Sequence, residues 1–386
     1  MNTLRKLSAL AGAFILSCSM AATAADKKPF PTTPATHNGQ RWRIAYYEGG
    51  EYTDYQKVLT ETVRGLMKLS WIENTEIPPQ QGEQTKDLWK WLNSHAKSNY
   101  IEFVKDAHYT ANWDDNLRKK TAAALIDRLN QKKDIDLLIA MGTLAGKDMA
   151  NNKHSTNTLV LSASDALSAG IIKSIEDSGF AHVHAQVDPT QFERQIQVFH
   201  EMTGFKRLGV AYEDTQSGRS YAAMDTIEKI NSQLNFDIVR CYTQSDISDV
   251  QIAENSVVEC FQKLTKSADA IYVTQQGGVN QHSLPQLVKI TSDNHIPTFS
   301  QAGSEEVKYG FLASLSQAGF RYLGEFYAET MAKVFNGAKP NELDQVYGQP
   351  PKIAINLKTA ELIGFDPPLV LLGAADEIFR DIAVPK

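Results

Sequence analysis

From Trp42 onward the apolar positions alternate between two periods. Runs such as Arg43–Tyr47 and Ile135–Ile139 are nearly continuous in apolar residues, as expected of strands buried on both faces. Between them, Tyr55–Leu69 places Val58, Leu59, Val63, Leu66 and Met67 at helical spacing. The pattern predicts further strands at Tyr100–Val104 and Thr158–Leu161, a helix at Asp115–Gln131, and another helix starting at Gly142 and Thr143. Strands alternating with helices through short turns indicate a parallel sheet covered on both faces.

The alternation then restarts. Helices are expected at Gln191–Thr203, Ser220–Leu234, Val250–Thr265 and Leu284–Asp293, and strands at Leu208–Tyr212, Phe236–Tyr242, Ala270–Thr274 and Pro297–Ser300. This is a second unit of the same plan. Gly170–Gln186, strand-like over Ala181–Gln186, then Phe311–Ser316 and Lys352–Leu357 read as three crossings between the units, the second feeding a helix at Phe320–Phe335. The fold class is therefore α/β, two Rossmann-like parallel-sheet domains joined by three hinge crossings. One lobe comprises 42–185 plus 317–347, the other 186–316 plus 348–386, after a proline-bearing lead-in at 25–41. Residues 72–99 interrupt the scheme with a helix-like Thr85–Lys97, and four of the five tryptophans fall between 71 and 113. They either pack on the first lobe or line a cleft or partner surface.

The first 24 residues carry Arg5 and Lys6, an apolar run from Leu7 to Leu16, and Ala22 Thr23 Ala24, the pattern of a secretory leader cut after Ala24. Ile15 Leu16 Ser17 Cys18 offers the competing reading of a lipoprotein anchored at Cys18. A periplasmic address follows, and with it an oxidising environment. Cys241 and Cys260 can then form a disulfide or remain two buried thiols; spacing does not decide between them. The length of 386 residues exceeds one comfortable core. A net charge of −6, spread evenly, gives no basic face for nucleic acid.

Enzyme signals fall short. Gly142 to Asp148 approaches a phosphate-binding loop, but has three residues between its glycines and Asp148 where a hydroxyl should be. Gly218 Arg219 Ser220 Tyr221 Ala222 approaches a nucleophile elbow but ends in alanine. His182 and His184 share a strand face without a third ligand nearby in sequence, which favours a solvent-facing or hinge position over a metal site. No metal, cofactor or catalytic group is expected.

Near the C-terminus, Ile355 Asn356 Leu357 Lys358 Thr359 Ala360, then Leu362, Gly364, Pro367 Pro368 and Ala375 Asp376 Glu377 Ile378 resemble the ending of the exported solute-binding proteins of ABC transporters, in the group that includes tryptophan- and tyrosine-type binders. Ser168–Ile175, Lys206–Tyr212 and Asn336–Pro340 resemble other stretches of that family. The insertion near 75–98, and Ser162 Ala163 Ser164 Asp165 Ala166 in place of an Asp-Pro pair, depart from it. The resemblance implies a type I periplasmic-binding-protein fold, a small-molecule ligand and membrane permease subunits as partners; a sensing subunit reporting to a membrane receptor or kinase is the alternative. A monomer is expected.

Ligands in such sheets bind beyond the carboxyl ends of strands. That rule selects Tyr46, Tyr47, Glu48, Gly142, Thr143, Ser162, Ser164, Asp165 and Gln186 from one lobe, and Tyr212, Asp214, Ser217, Thr274, Gln275 and Ser300 from the other. The set is rich in neutral hydrogen-bonding groups, holds a few carboxylates, and lacks arginine. It suits an amino acid or related amine: Glu48, Asp165 or Asp214 for the ammonium, Gly142 and Thr143 for the carboxylate, and Tyr46, Tyr47 and Tyr212 as walls.

Overall fold

A computed structural model describes residues 30–317, 319–348 and 351–384. The expected leader and Cys18 lie outside the described residues.

The first lobe is built in chain order from β1 (Trp42–Glu48), α1 (Thr53–Lys68), α2 (Lys86–His95), β2 (Ile101–Thr110), α3 (Asp115–Gln131), β3 (Leu137–Met141), α4 (Gly142–Met149), β4 (Asn157–Leu161) and β5 (Val183–Ala185). Its sheet has the order β2-β1-β3-β4-β5, parallel throughout. Every residue of β3 is buried, which is why its sequence shows no polar alternation.

The second lobe continues with α5 (Gln191–Thr203), β6 (Arg207–Tyr212), α6 (Gln216–Tyr221), α7 (Met224–Leu234), β7 (Asp237–Tyr242), α8 (Val250–Leu264), β8 (Ala270–Val273), α9 (Leu284–Asp293), β9 (Thr298–Ser300), α10 (Ser304–Lys308) and β10 (Ala313–Gln317). The chain then returns to the first lobe as α11 (Phe320–Phe335) before entering the second lobe again as β11 (Pro351–Asn356), α12 (Leu357–Ile363), α13 (Leu369–Ala374) and β12 (Glu377–Phe379). The second sheet is ordered β12-β11-β10-β9-β8-β6-β7. From β7 to β10 it repeats the strand order of the first lobe, and β10 pairs antiparallel with β11.

Three features differ from the sequence expectation. The expected helix at Ser220–Leu234 is two helices: Thr215 caps α6 by accepting from the Gly218 N–H, and Ala223, at φ 54° in the left-handed region, separates α6 from α7. The segments expected as crossings are themselves sheet strands; the crossings follow β5 and β10 and precede β11. Finally, α10, α12, α13 and β12 have no counterpart in the sequence pattern, each being too short to show a period.

At the hinge, two of the crossings run side by side. The Val187 N–H donates to the Gln345 carbonyl at 2.8 Å and the Tyr347 N–H to the Val187 carbonyl at 3.0 Å, while Gln186 Nε2 donates to the Tyr347 carbonyl at 2.9 Å. In the first lobe α11 packs on α1 through glycines: a Cβ on Gly324 would sit 2.3 Å from the Glu61 backbone. The insertion packs on the sheet, with Trp89 buried edge-on to Phe103 and its Nε1 donating to the Val104 carbonyl. Cys241 and Cys260 form a disulfide joining β7 to α8, with Cα atoms 5.5 Å apart.

Candidate functional site

The carboxyl ends of the two sheets face one another across a cleft of about 1250 Å³. The lobes touch across it. Lys57 Nζ meets Glu305 Oε2 at 2.7 Å, Ser164 Oγ donates to Gln275 Oε1 at 3.0 Å, Lys147 Nζ donates to Gln216 Oε1 at 2.9 Å, and Ser168 Oγ donates to Asp225 Oδ2 at 2.6 Å. The near-elbow serine, Ser220, is fully buried and donates to the Asp165 carbonyl at 3.1 Å. It ties the lobes together and exposes no nucleophile.

Of the residues selected from sequence, Thr143, Ser162, Ser164, Asp165, Gln186 and Gln275 line the cleft. The other nine do not, and their surroundings explain why. Strand-end side chains alternate into the cores, so Tyr46, Tyr47 and Tyr212 are buried aromatic core residues. The Tyr46 hydroxyl donates to Glu48 Oε2 at 2.6 Å, and the Tyr47 hydroxyl donates to Asp148 at 2.7 Å. Glu48 is 1% exposed and also accepts from the Thr85 hydroxyl at 2.9 Å; desolvation pushes its carboxyl up to about 7. Thr274 donates to the Ala211 carbonyl, and Ser300 donates to Glu306 Oε2 at 2.6 Å. Ser217 is buried and accepts from Lys147 at 3.3 Å. Asp214 is exposed.

Gly142 shows a tighter constraint. Its φ is +84°, and a Cβ there would fall 1.8 Å from the Tyr55 hydroxyl. The glycine thus lets Tyr55 lie against the start of α4, where unpaired N–H groups would otherwise face the cleft.

The cleft wall is formed instead by residues a few positions beyond the strand ends. Tyr52, Asp54 and Tyr55 follow β1; Trp113 follows β2; Tyr221 closes α6; Asp246 follows β7; and Glu306 lies on α10. Tyr52 and Tyr55 meet edge to face at 5.4 Å. Trp113 donates to the Glu51 carbonyl at 2.9 Å, and its ring occupies the space a Cβ on Gly50 would need. The Tyr221 hydroxyl donates to Asp246 at 3.2 Å, and the Asp246 N–H donates to Glu213.

The cleft carboxyls are poorly solvated. Burial raises Asp54 to about 6 and Asp246 and Glu306 to about 7, and raises Asp165 and Glu83 as well. For Asp246 the neighbouring Glu213 charge adds to the effect. A cation entering the cleft would be attracted to these groups and would favour their ionised forms. No arginine lines the cleft among the described residues. The signal that could have found Tyr52, Asp54 and Tyr55 was present in Glu51 Tyr52 Thr53 Asp54 Tyr55, an aromatic and acidic alternation immediately after a strand-end glycine pair.

His182 and His184 are buried. The His182 ring packs edge-on to His154 at 4.8 Å, and His184 Nε2 bonds to the Asp344 carbonyl at 2.9 Å. Among the described residues no group of three or more metal-ligating side chains is present, and no helix is long and apolar enough to cross a membrane.

Residues 97–378 match the family model described as ABC transporter substrate binding protein. A tyrosine-binding protein of Clostridioides difficile (strain R20291) is 22% identical over 279 residues, covering 69% of this chain and 76% of that protein. Two solved structures each align with 88% of this chain and all of their own at 17% identity. They are an ABC domain from Streptococcus pneumoniae in complex with L-Trp, at a TM-score of 0.65, and a conserved domain protein from Vibrio cholerae, at 0.63. The match to the family model begins at residue 97, at the end of the insertion.

Proposed function

The chain belongs to the ABC transporter substrate-binding protein family, and from that premise we propose that its interlobe cleft captures an amine-bearing small molecule, an amino acid or a close relative. Proteins of this family carry a small molecule to membrane permease subunits, and they work on the outer side of the membrane. Export by a leader cut after Ala24, action as a monomer and the absence of catalytic turnover are parts of the same proposal.

One observation carries the ligand reading: half-buried carboxylates and tyrosines meet on the cleft wall, where no arginine is found among the described residues. Asp246 beside Tyr221 offers an anionic acceptor next to an aromatic ring, the combination that holds an ammonium group. Thr143, Ser162, Ser164, Asp165, Gln186 and Gln275 supply neutral and acidic contacts around it. The tyrosine- and tryptophan-binding relatives support an amino-acid-sized guest. Closure would bring the two walls onto the ligand, with residues 186–188 and 345–347 flexing at the hinge.

A thermal-shift panel of amino acids, amines, nucleosides and sugars tests this, because a ligand that binds only the folded state raises the melting temperature by mass action. Amines or amino acids are expected to stabilise the protein. Sugars or nucleosides doing so, with amines silent, would overturn the reading.

A further inference from the structure

We propose that the cleft is built for an organic cation with two protonated nitrogens, a diamine or polyamine, and that the inserted segment supplies the contact for the second nitrogen. The inference rests on the amine-binding reading above and narrows its ligand class.

The cleft has two separate anionic regions. One is Asp246 with Tyr221, on the second lobe. The other gathers Asp54 from α1, Glu305 and Glu306 from α10, and Glu83, all on the cleft wall. Asp54 lies within electrostatic reach of Glu83, Glu305 and Glu306. Tyr52 and Tyr55 line the same cleft, edge to face at 5.4 Å, with Tyr55 in electrostatic reach of both Asp246 and Asp54, and Tyr52 in reach of Asp54, Glu306 and Glu83. An aromatic wall shared by two groups of carboxylates matches a chain with more than one cation.

The charge balance points the same way. Lys57 is the basic side chain that pairs with this acidic group, and its ammonium is already engaged, 2.7 Å from Glu305 and 3.8 Å from Asp54; Lys229 and Lys352 also line the cleft, Lys229 lying 3.7 Å from Glu193. Asp246 forms no ion pair among the described residues, feeling the Arg118 and Lys147 charges from further off, and Glu306 accepts from the Ser300 hydroxyl with the Lys57 charge nearby. A zwitterionic amino acid brings one positive and one negative group, which leaves the carboxylate excess uncompensated; a dication offsets it. The cleft volume, about 1250 Å³, exceeds the roughly 300–1,000 Å³ of most small-molecule sites, leaving room for an extended guest.

The insertion explains how the second region arises. Gly82 and Glu83 line the cleft at the turn leading into α2. That turn is fixed from both sides, by Gln56 Nε2 donating to the Gln84 carbonyl at 2.6 Å and by Thr85 donating to buried Glu48. A segment anchored in this way presents Glu83 from a defined position, next to Asp54.

Calorimetric titration of the full chain with 1,5-diaminopentane and spermidine, alongside tryptophan, tyrosine and the monoamine 1-aminopentane, tests the proposal. The two polycations are expected to bind at least tenfold more tightly than the monoamine. Glu83→Gln is expected to weaken diaminopentane on the order of tenfold, the cost of losing one charge-assisted contact, while changing monoamine binding less than twofold. Unaltered melting of the Glu83→Gln protein shows that the loss is local, and Asp54→Asn is the second variant should Glu83→Gln fold poorly. Tight binding of tryptophan or tyrosine with silent diamines overturns the dication while leaving the amine reading intact. Diamine binding indifferent to both variants overturns the role of the inserted segment. Silence of every amine and amino acid, with a sugar or nucleoside bound instead, overturns both.

Discussion

Lys57, on the first helix of one lobe, reaches Glu305 on the short α10 of the other, with 2.7 Å between Nζ and Oε2. The pair closes one side of the cleft and is partly exposed on both sides. Exposed pairs contribute about 0–1 kcal/mol, so Lys57→Met should shift the opening equilibrium by no more than about fivefold. Ligand affinity is expected to fall about two- to fivefold by calorimetry, with the melting temperature of the free protein nearly unchanged. A loss of a hundredfold would mean that Lys57 contacts the ligand itself.

Gly142→Ala should be far more damaging than its size suggests. The residue has φ +84°, and the new Cβ would collide with the Tyr55 hydroxyl. Strain plus displacement of a buried ring is expected to cost about 2–4 kcal/mol in denaturant unfolding, and ligand binding should weaken because Tyr55 forms part of the cleft wall. Wild-type stability in this variant would show that the α4 start relaxes without moving Tyr55.

The Cys241–Cys260 bridge joins residues 19 apart in sequence, and its loss should cost about 2–4 kcal/mol. Melting with and without reductant, and of the Cys241→Ser, Cys260→Ser double variant, measures it. The reduced wild type and the variant should lose similar stability. No change on reduction would indicate that the bridge does not form in solution.

The pH dependence has a definite sign. Burial raises Glu48 from 4.5 to about 7, so the folded chain holds this proton more tightly than the unfolded chain. The resulting stabilisation is complete below pH 4.5 and disappears as pH rises through 7. Relative to wild type, Glu48→Gln should therefore gain stability from about pH 5 to pH 7 and level off above, as read from urea unfolding across that range. Cation binding should run the other way: Asp54, Asp246 and Glu306 ionise between about 6 and 7, so affinity for an ammonium ligand is expected to rise over that window. A difference curve flat with pH would place Glu48 in its ordinary ionised state.

Most of the architecture was legible because both sheets are buried on two faces. Arg43–Tyr47, Asp115–Gln131, Gln191–Thr203 and Phe320–Phe335 show their periods without interruption, and the structure places strands or helices there. The Ala222–Ala223 break was not legible, since alanine favours helix and rarely takes the left-handed conformation found at Ala223, φ 54°. The cleft was only partly legible. The strand-end rule located the correct end of each sheet, but at the last strand position a side chain points into a core as often as into the cleft. Tyr46, Tyr47 and Tyr212 point inward, whereas Tyr52, Tyr55 and Tyr221, several residues later, face the cleft. Asp246 was not legible because it lies four residues beyond the end of β7, in a loop that carries no glycine pair or other strand-end signal. Glu83 was not legible because it sits in the turn before α2, at the end of no strand, so the strand-end rule does not reach it.

Small-angle X-ray scattering of the full chain, titrated with whichever amine most raises its melting temperature, tests hinge closure on an amine most directly. The radius of gyration should fall to a saturating lower value as the amine is added, and Asp246→Asn should require a much higher concentration to reach it. An envelope that stays the same while calorimetry shows the amine bound would contradict closure of the two lobes on their ligand.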